Sequence, residues 1–225
     1  MLKQLFCLLT GFIAFQGLGQ QIAILNSPDK QIQVKASKTH EGLLSYQVHM
    51  KGQEVIAPST LGFVLKKPAL EIKKFTLLGV DSSAVSNTWK PIWGEVKEVN
   101  NQYNELILHA KSNGVIVDLI FRIFNDGVGL RYHFPVQSGF QHFVVDQELT
   151  QFAMSGDHHA FWIPGDYDTN EYTYNKTKLS EIDATTAAAK EKDIALTALM
   201  GKNVVQTPLM MKSANGFYLN IHEAS

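Results

Sequence analysis

The chain has 225 residues, with 20 Lys and Arg against 21 Asp and Glu, 45% hydrophobic residues and a single cysteine. This length and hydrophobic content suit an ordered globular chain with a substantial core and argue against intrinsic disorder. The formal net charge of −1 gives no basic surface excess of the kind that nucleic-acid binding requires. We therefore expect a folded protein that binds no nucleic acid.

The first twenty residues have the pattern of a secretory signal peptide. Lys3 supplies a positive charge, an apolar run covers residues 5–15, and small residues follow it. Such a run is too short to cross about 30 Å of hydrocarbon as a helix. We predict a signal peptide over residues 1–20 with cleavage near Gly19 or Gln20. The product would be exported, periplasmic or extracellular, and would have no integral membrane segment.

From Gln21 onward, hydrophobic residues recur with the period of two that is typical of half-buried strands. The longest file runs from Val115 to Ile123 and has apolar residues on its opposite face too, so we expect this strand to be covered on both sides. Turn pairs that suit tight hairpins separate the files, at residues 41–42, 51–52, 113–114, 126–127 and 215–216. The pattern predicts an all-β fold, a large antiparallel β-sandwich.

Residues 181–202 depart from the strand pattern. They are rich in Ala, Thr and Lys, and the apolar residues from Ile194 to Met200 have the spacing of a short helix. We predict a minor helical insertion here, on the surface between strands. No repeat or flexible linker divides the chain, so we expect one β domain over residues 21–225.

Motifs for common enzyme chemistry are absent from the sequence. It contains no glycine-rich nucleotide loop, no nucleophile elbow and no His-Glu-x-x-His helix. His158 and His159 are the only closely spaced histidines. Adjacent residues on a strand point to opposite faces, so these two would not share a metal ion. We expect exposed histidines at the end of a strand.

Two segments are richer than a plain sandwich requires. Trp89 and Trp93 could stack on a sugar ring, anchor a sheet or pack against a partner domain, and the structural alternatives are favoured. The segment 161–174 combines three carboxylates, those of Asp166, Asp168 and Glu171, with an Asn and several aromatic residues. Oxygen ligands of this kind suit calcium. The spacing is not that of an EF-hand, however, and a solvated acidic loop is the simpler explanation.

An ordered set of motifs resembles the N-terminal domain of glycoside hydrolase family 97. The motifs are WKPIWGE at 89–95, YNEL at 103–106, FRIFNDGVGLRY at 121–132, FWIP at 161–164, EYTY at 171–174, TPL at 207–209 and HEA at 222–224. The resemblance covers about residues 21–225 and is weakest over 181–202. No single motif decides it; the order of the whole set does.

The resemblance implies a domain of an exported α-glucosidase or α-galactosidase that hydrolyses terminal α-linked sugars. It also implies a β-super-sandwich resembling galactose mutarotase, followed by a (β/α)₈ catalytic barrel and a small β domain. We expect this chain to stop before the barrel, so that it holds no catalytic residue and is inactive alone. The expected partners are an oligosaccharide substrate and the catalytic barrel.

The resemblance further implies one metal ligand. In the family, a Glu of the N-terminal domain reaches an active-site calcium beside carboxylates of the barrel. Glu171 is the best match by motif position, whereas Asp166 and Asp168 fit less well. The implied cofactor is therefore Ca²⁺ shared with the barrel. Arg131 is interpreted as a structural residue paired with a carboxylate.

Two alternatives belong to other functional classes. A stand-alone carbohydrate-binding module would use Trp89, Trp93 or Trp162 as stacking platforms. A mutarotase-like epimerase would need a His and a Glu on one concave sheet face. His133 and His142 lie on predicted strands, but nothing in the sequence pairs either with a Glu.

Overall fold

The computed structural model describes residues 19–223, so the predicted signal peptide lies outside the described residues except for Gly19 and Gln20. Within this range, no helix has the length and apolar character needed to cross a membrane. The chain divides into two compact units, residues 19–153 and residues 154–223. The single β domain over 21–225 stays a prediction.

The first unit is built from three antiparallel sheets. Strands β1 to β4 pair in chain order, β10, β9, β8 and β7 form the second sheet in that order, and β11, β5 and β6 form the third. The strands are β1 Gln20–Asn26, β2 Ile32–Lys38, β3 Leu44–Met50, β4 Gln53–Thr60, β5 Phe63–Lys67, β6 Leu70–Ile72, β7 Thr76–Trp89, β8 Val99–Ser112, β9 Val115–Ile123, β10 Val128–His133 and β11 Val144–Glu148.

The first two sheets pack face to face: β1 contacts β8, and β2 contacts β9. Apolar side chains of alternate residues fill the space between them: Val34, Leu44, Tyr46, Leu106, Leu108, Val117, Leu119 and Phe121 are buried. The Phe121 ring lies 5.7 Å from that of Tyr46, measured between centroids. The predicted all-β sandwich is confirmed.

Strand β9 is the most deeply covered strand of this unit. Every second residue from Val115 to Ile123 is buried, and Asp118 and Ile120 on its opposite face are buried as well. The prediction that this strand is covered on both sides is therefore confirmed. The opposite face holds a polar group, Asp118, which needs partners there.

The hairpins form where the sequence predicts them. Lys51 and Gly52 connect β3 to β4 with φ angles of 51° and 77°, and Asn113 and Gly114 connect β8 to β9 with 46° and 87°. Two consecutive residues with positive φ match the right-handed twist of the flanking strands. These turns keep the register that points the apolar residues of β8 and β9 into the core.

The second unit is a four-stranded antiparallel sheet in the order β13, β12, β14, β15. Its strands are β12 His159–Trp162, β13 Asn175–Lys178, β14 Leu209–Lys212 and β15 Tyr218–Ile221. Ala160, Trp162 and Met211 form its core together with Ala184 and Ala187 of a short helix, α1, Ala184–Ala188.

The minor helical insertion within residues 181–202 is confirmed by α1, but the helix does not lie at Ile194–Met200, where the apolar spacing placed it. The helix lies earlier because Asp183 caps it, accepting a hydrogen bond from the Thr186 N–H at 3.0 Å, and because its alanines fit the core. Residues 194–200 instead run beside the loop after β12, where Leu199 forms a β-bridge with Asp166.

Replacing Phe121 by Ala should destabilise the fold strongly. Phe121 is fully buried between the two sheets, and deletion of a buried aromatic ring costs about 3–5 kcal/mol. Val136 is fully exposed in the same unit, so Val136→Ala should change the free energy of unfolding by less than about 0.5 kcal/mol. Urea unfolding of the chain measures both. Equal effects of the two substitutions would contradict the proposed core.

Candidate functional site

The loop between β12 and β13 carries the residues that the sequence associates with calcium. It lies in the second unit and is fixed by hydrogen bonds to residues 198–206. The Gly165 N–H donates to the Val204 carbonyl at 2.8 Å, and Gly165 accepts from the Met200 N–H at 2.9 Å. A Cβ at Gly165 would lie 2.6 Å from Val204 Cγ1 and 3.1 Å from its backbone, so this close approach requires glycine.

Asp166 organises the loop from a buried position. Its carboxylate accepts hydrogen bonds from the Asp168 N–H at 2.8 Å, the Thr169 N–H at 3.3 Å and the Ala198 N–H at 3.0 Å. Burial opposes the ionisation of Asp166, but the hydrogen bonds, that of Ala198 first, outweigh it and lower its pKa. A carboxylate surrounded by donors in this way has a structural role.

Tyr172 completes this network from the other end of the loop. It is buried, and its hydroxyl donates to Asp166 Oδ2 at 2.8 Å. Burial, together with the hydrogen bond to the carboxylate, raises the pKa of Tyr172 to about 12, so the hydroxyl keeps its proton. Residues 166–172 are thereby closed into a compact turn.

Glu171 lies on the outside of that turn. Its backbone N–H donates to Thr169 Oγ1 at 3.2 Å, and the Thr169 carbonyl accepts from Gln206 Nε2 at 2.7 Å. The side chain is exposed, and the described residues supply no hydrogen bond or ion pair to its carboxylate. Its backbone is therefore fixed while its carboxylate oxygens stay available.

The donor set around Glu171 fits one ligand of a calcium ion rather than a whole site. Calcium takes six to eight oxygen ligands. Across residues 19–223, no group of three or more His, Cys, Asp or Glu side chains lies close enough together to hold a metal. Glu171 fits a site that oxygen atoms from elsewhere complete, whereas Asp166 is already occupied by hydrogen bonds. Assignment of the ligand role to Glu171 stays a prediction.

The two adjacent histidines do point to different environments. His159 begins β12 and is exposed, as expected. The prediction is wrong for His158, which is 7% exposed; its ring lies beside Gly156, where a Cβ would come within 3.2 Å of His158 Cε1. Burial lowers the pKa of His158, which favours the neutral imidazole.

Four titratable side chains form a chain of contacts on the outer face of the β7–β10 sheet. His109 Nδ1 lies 2.7 Å from Asp118 Oδ1 and His109 Nε2 lies 3.0 Å from Asp81 Oδ2. The other oxygen of Asp118 lies 2.9 Å from His133 Nδ1. Sequence reasoning missed this cluster, although a carboxylate within the apolar file of β9 signals that partners are required.

The geometry favours a protonated His109. An ionised carboxylate only accepts hydrogen bonds, so a ring nitrogen that faces one must carry a proton. Both nitrogens of His109 face carboxylates, and these hydrogen bonds, that of Asp118 first, raise its pKa. Burial opposes ionisation of Asp118, but the hydrogen bonds from His133 and His109 outweigh it and lower its pKa. The protonated His109 thus lies between the carboxylates of Asp81 and Asp118.

Of the two histidines proposed for the epimerase alternative, only His133 lies on a strand as predicted. His133 lies on β10 as predicted, but its carboxylate partner is Asp118 and not a Glu. His142 is on no strand; it precedes β11 in an irregular segment.

The predicted ion pair of Arg131 is absent among residues 19–223. Arg122 makes such a pair instead, with Nε 2.7 Å from Glu105 Oε2.

The three tryptophans differ in accessibility. Trp162 is buried, and its Nε1–H donates to Thr177 Oγ1 at 2.9 Å, so it cannot act as a stacking platform. Trp89 and Trp93 are exposed by 53% and 88%. They do not anchor the sheet, which excludes one of the three interpretations of that segment.

The fold of this chain is similar to part of a solved glycosidase structure. The chain is similar to a β-arabinopyranosidase with a TM-score of 0.70, over 88% of this chain and 31% of that one. At 19% sequence identity, this similarity concerns the fold alone. The all-β architecture is thus one that occurs in a glycoside-cleaving enzyme.

The family follows from closer matches. The family model "Glycosyl-hydrolase 97 N-terminal" matches residues 25–225, and the chain belongs to this family. A glycoside hydrolase family 97 enzyme of Pseudoalteromonas sp. strain K8 in complex with panose is similar at 29% identity, with a TM-score of 0.75. The same enzyme in complex with acarbose is similar at 30% identity and a TM-score of 0.73. Each match covers 90% of this chain but only 28% of the enzyme.

The stability contributed by His109 should decrease as the pH rises. Its native pKa lies above its ordinary value of 6.5, so the contribution is complete below about pH 6.5 and is lost as the pH rises through the native pKa. The difference in unfolding free energy between wild type and His109→Gln should therefore shrink over this interval. Urea unfolding at several pH values measures it, and the difference cancels the contributions of histidines that do not contact Asp118.

Proton NMR titration checks the cause directly. The titration midpoint of His109 should lie above 6.5, and Asp118→Asn should lower it by removing the principal acceptor. A midpoint at or below 6.5 that Asp118→Asn does not move would contradict the cluster.

Proposed function

We propose that this chain is the N-terminal β domain of an exported α-glycosidase, an α-glucosidase or α-galactosidase acting on terminal α-linked sugars. The domain packs on a catalytic barrel, forms part of the wall of its pocket and contributes one calcium ligand. Membership of the family 97 N-terminal group over residues 25–225 supports this, as do the family 97 structures in complex with panose and acarbose. The apolar run at residues 5–15 supports export.

The accessible carboxylate of Glu171 is the observation that carries the ligand assignment. It lies on a turn whose backbone is fixed by Asp166, Tyr172 and Gln206. A ligand held on a rigid support needs little ordering when the metal binds, which favours affinity. A bound Ca²⁺ would offset repulsion among clustered carboxylates and help to polarise the sugar.

Asp166 and Asp168, the two other carboxylates of the loop, differ from Glu171 in their suitability as a calcium ligand. Asp166 is buried, and its oxygens accept backbone and tyrosine hydrogen bonds. Removing it from these donors to bind a metal would leave the buried Tyr172 hydroxyl and part-buried N–H groups without their acceptor, and an unsatisfied buried donor costs about 1–3 kcal/mol. Asp168 is exposed on the same loop, three residues before Glu171, and therefore provides a matched control.

Glu171→Gln in the full gene product should weaken its dependence on calcium. The amide keeps the size of the side chain but removes the charge that binds the cation, so the calcium concentration for half-maximal activity should rise by at least about tenfold. Hydrolysis of p-nitrophenyl α-glucoside and α-galactoside, measured in calcium titrations after EGTA treatment, gives this value and identifies the preferred sugar.

Asp168→Asn serves as the control and should leave the calcium titration unchanged, because that side chain is exposed but is not the assigned ligand. An identical calcium response of the wild type and Glu171→Gln would overturn the ligand assignment. The chain from Gln21 to Ser225 should hydrolyse neither substrate; activity of that chain alone would overturn the proposed division of roles.

A stand-alone carbohydrate-binding module is the second candidate, favoured by the exposure of Trp89 and Trp93. Stacking of sugar rings on these indoles would give heat in a calorimetric titration with malto-oligosaccharides. The proposed function predicts no such heat from the chain alone, since the substrate pocket requires the barrel. Saturable heat that is lost in Trp93→Ser would favour the module.

A further inference from the structure

Strands β7 and β8 continue as a two-stranded arm beyond the sheet to which they belong. Pairing of β8 with β9 ends at Asn104 opposite Ile123, whereas β7 and β8 pair for five more positions, from Val85 opposite Tyr103 to Trp89 opposite Val99. At about 3.3 Å per residue this extends about 15 Å past the third strand. We call residues 85–103 the arm.

The arm is held at its base and along its length. At the base, Tyr103 is buried against Phe124, with ring centroids 5.0 Å apart, and the Arg122 guanidinium lies 4.8 Å from the Tyr103 ring centroid. Further out, Asn101 Nδ2 donates to Asn87 Oδ1 at 3.0 Å and Thr88 Oγ1 to Asn100 Oδ1 at 3.2 Å. Cross-strand hydrogen bonds of this kind stiffen a ribbon that has no core of its own.

The tip of the arm, residues 89–96, exposes large apolar side chains. Ile92 is 101% exposed and Trp93 88%, and Trp89 and Val96 are each more than half exposed. Together they present apolar surface on the order of several hundred Å², which soluble monomers rarely leave uncovered. A fixed support with an uncovered apolar tip is the arrangement of an interface anchor.

The composition of the tip selects a protein as its occupant. Lys90 and Glu95 lie within the tip and Lys97 and Glu98 follow it in the sequence. Their charges balance, which gives no attraction to a polyanion or an anionic lipid surface. A sugar would use the tryptophan faces but would leave Ile92 and Val96 in water. An aromatic and aliphatic centre with a mixed polar rim is the composition of a protein interface.

We propose that the arm docks through Trp89, Ile92, Trp93 and Val96 onto the catalytic part of the same family 97 enzyme. This inference rests on the proposed function, because it requires that a catalytic part exists in the gene product. The matched enzymes support this occupant, since this chain covers only 28% of each and most of each enzyme remains for it to pack against. A covalently linked partner is present at an effective concentration of about millimolar, so a small apolar contact suffices to hold it.

Photo-crosslinking of the full gene product tests the contact. Trp93 is replaced by p-benzoylphenylalanine, and as a control the same residue is placed at Val136, which is fully exposed in the first unit but lies off the arm. After irradiation, mass spectrometry should find cross-links from position 93 to peptides of the catalytic part, at least about tenfold above position 136. Cross-links mainly to a second copy, or no excess over the control, would overturn the docking.

A double substitution separates docking from folding. Ile92→Ser with Trp93→Ser should leave thermal unfolding of the chain from Gln21 to Ser225 unchanged within about 2 °C, because both side chains are exposed. In the full gene product it should shorten the half-life of hydrolytic activity at elevated temperature at least about threefold, whereas Val136→Ser should not. An unchanged half-life would overturn the docking.

The two proposals fail in different ways. Normal hydrolysis whose calcium dependence requires Glu171, combined with no cross-link from position 93 to the catalytic part, overturns the docking alone. A gene product that contains no catalytic part and hydrolyses neither substrate overturns the proposed function, and the docking with it.

Discussion

Strand β9 is the constraint on which the first unit depends. One of its faces is closed by the apolar core of the sandwich, and the other contains the buried carboxylate of Asp118. Because an unpaired buried carboxylate is unfavourable, His109 and His133 of the neighbouring strands are drawn to it. The strand also ends at Ile123, opposite Asn104. The inner face of β9 therefore forms the core, and Asp118 on its outer face binds His109. The end of β9 at Ile123 is also the point beyond which the arm consists of β7 and β8 alone.

In the second unit, burial separates two carboxylates that look equivalent in the sequence. Asp166 and Glu171 lie five positions apart in one acidic loop, and composition alone does not distinguish between them as metal ligands. Asp166 accepts from the N–H groups of Asp168 and Thr169 in its own loop. It also accepts from the Ala198 N–H, about thirty positions further along the chain, because residues 194–200 run beside the loop. The motif could indicate Glu171 only through the family resemblance. Hydrogen bonding supplies an independent physical reason to exclude Asp166.

Local patterns predicted the fold where local physics determines it. Period-two alternation identified β9, and Asn113-Gly114 identified its hairpin, because both depend on neighbouring residues only. The helix was misplaced from Ala184–Ala188 to Ile194–Met200, since apolar spacing outweighed the Asp183 cap. The cluster around Asp118 could not be predicted, because its members come from four strands and their meeting depends on register, which the sequence does not contain explicitly.

Each unit exposes a feature that requires a further protein surface, namely Glu171 in the second unit and the tip of the arm in the first. Glu171 offers a fixed carboxylate but too few oxygen atoms for a calcium ion, and the arm offers a fixed apolar tip without a cover. An isolated domain gains nothing from either, since an exposed Trp93 favours aggregation and a single carboxylate holds calcium weakly. Both become favourable when another protein surface supplies oxygen ligands to the one and apolar side chains to the other. This chain covers 28% of each matched family 97 enzyme, and both proposals require that the remainder of such an enzyme supply this surface.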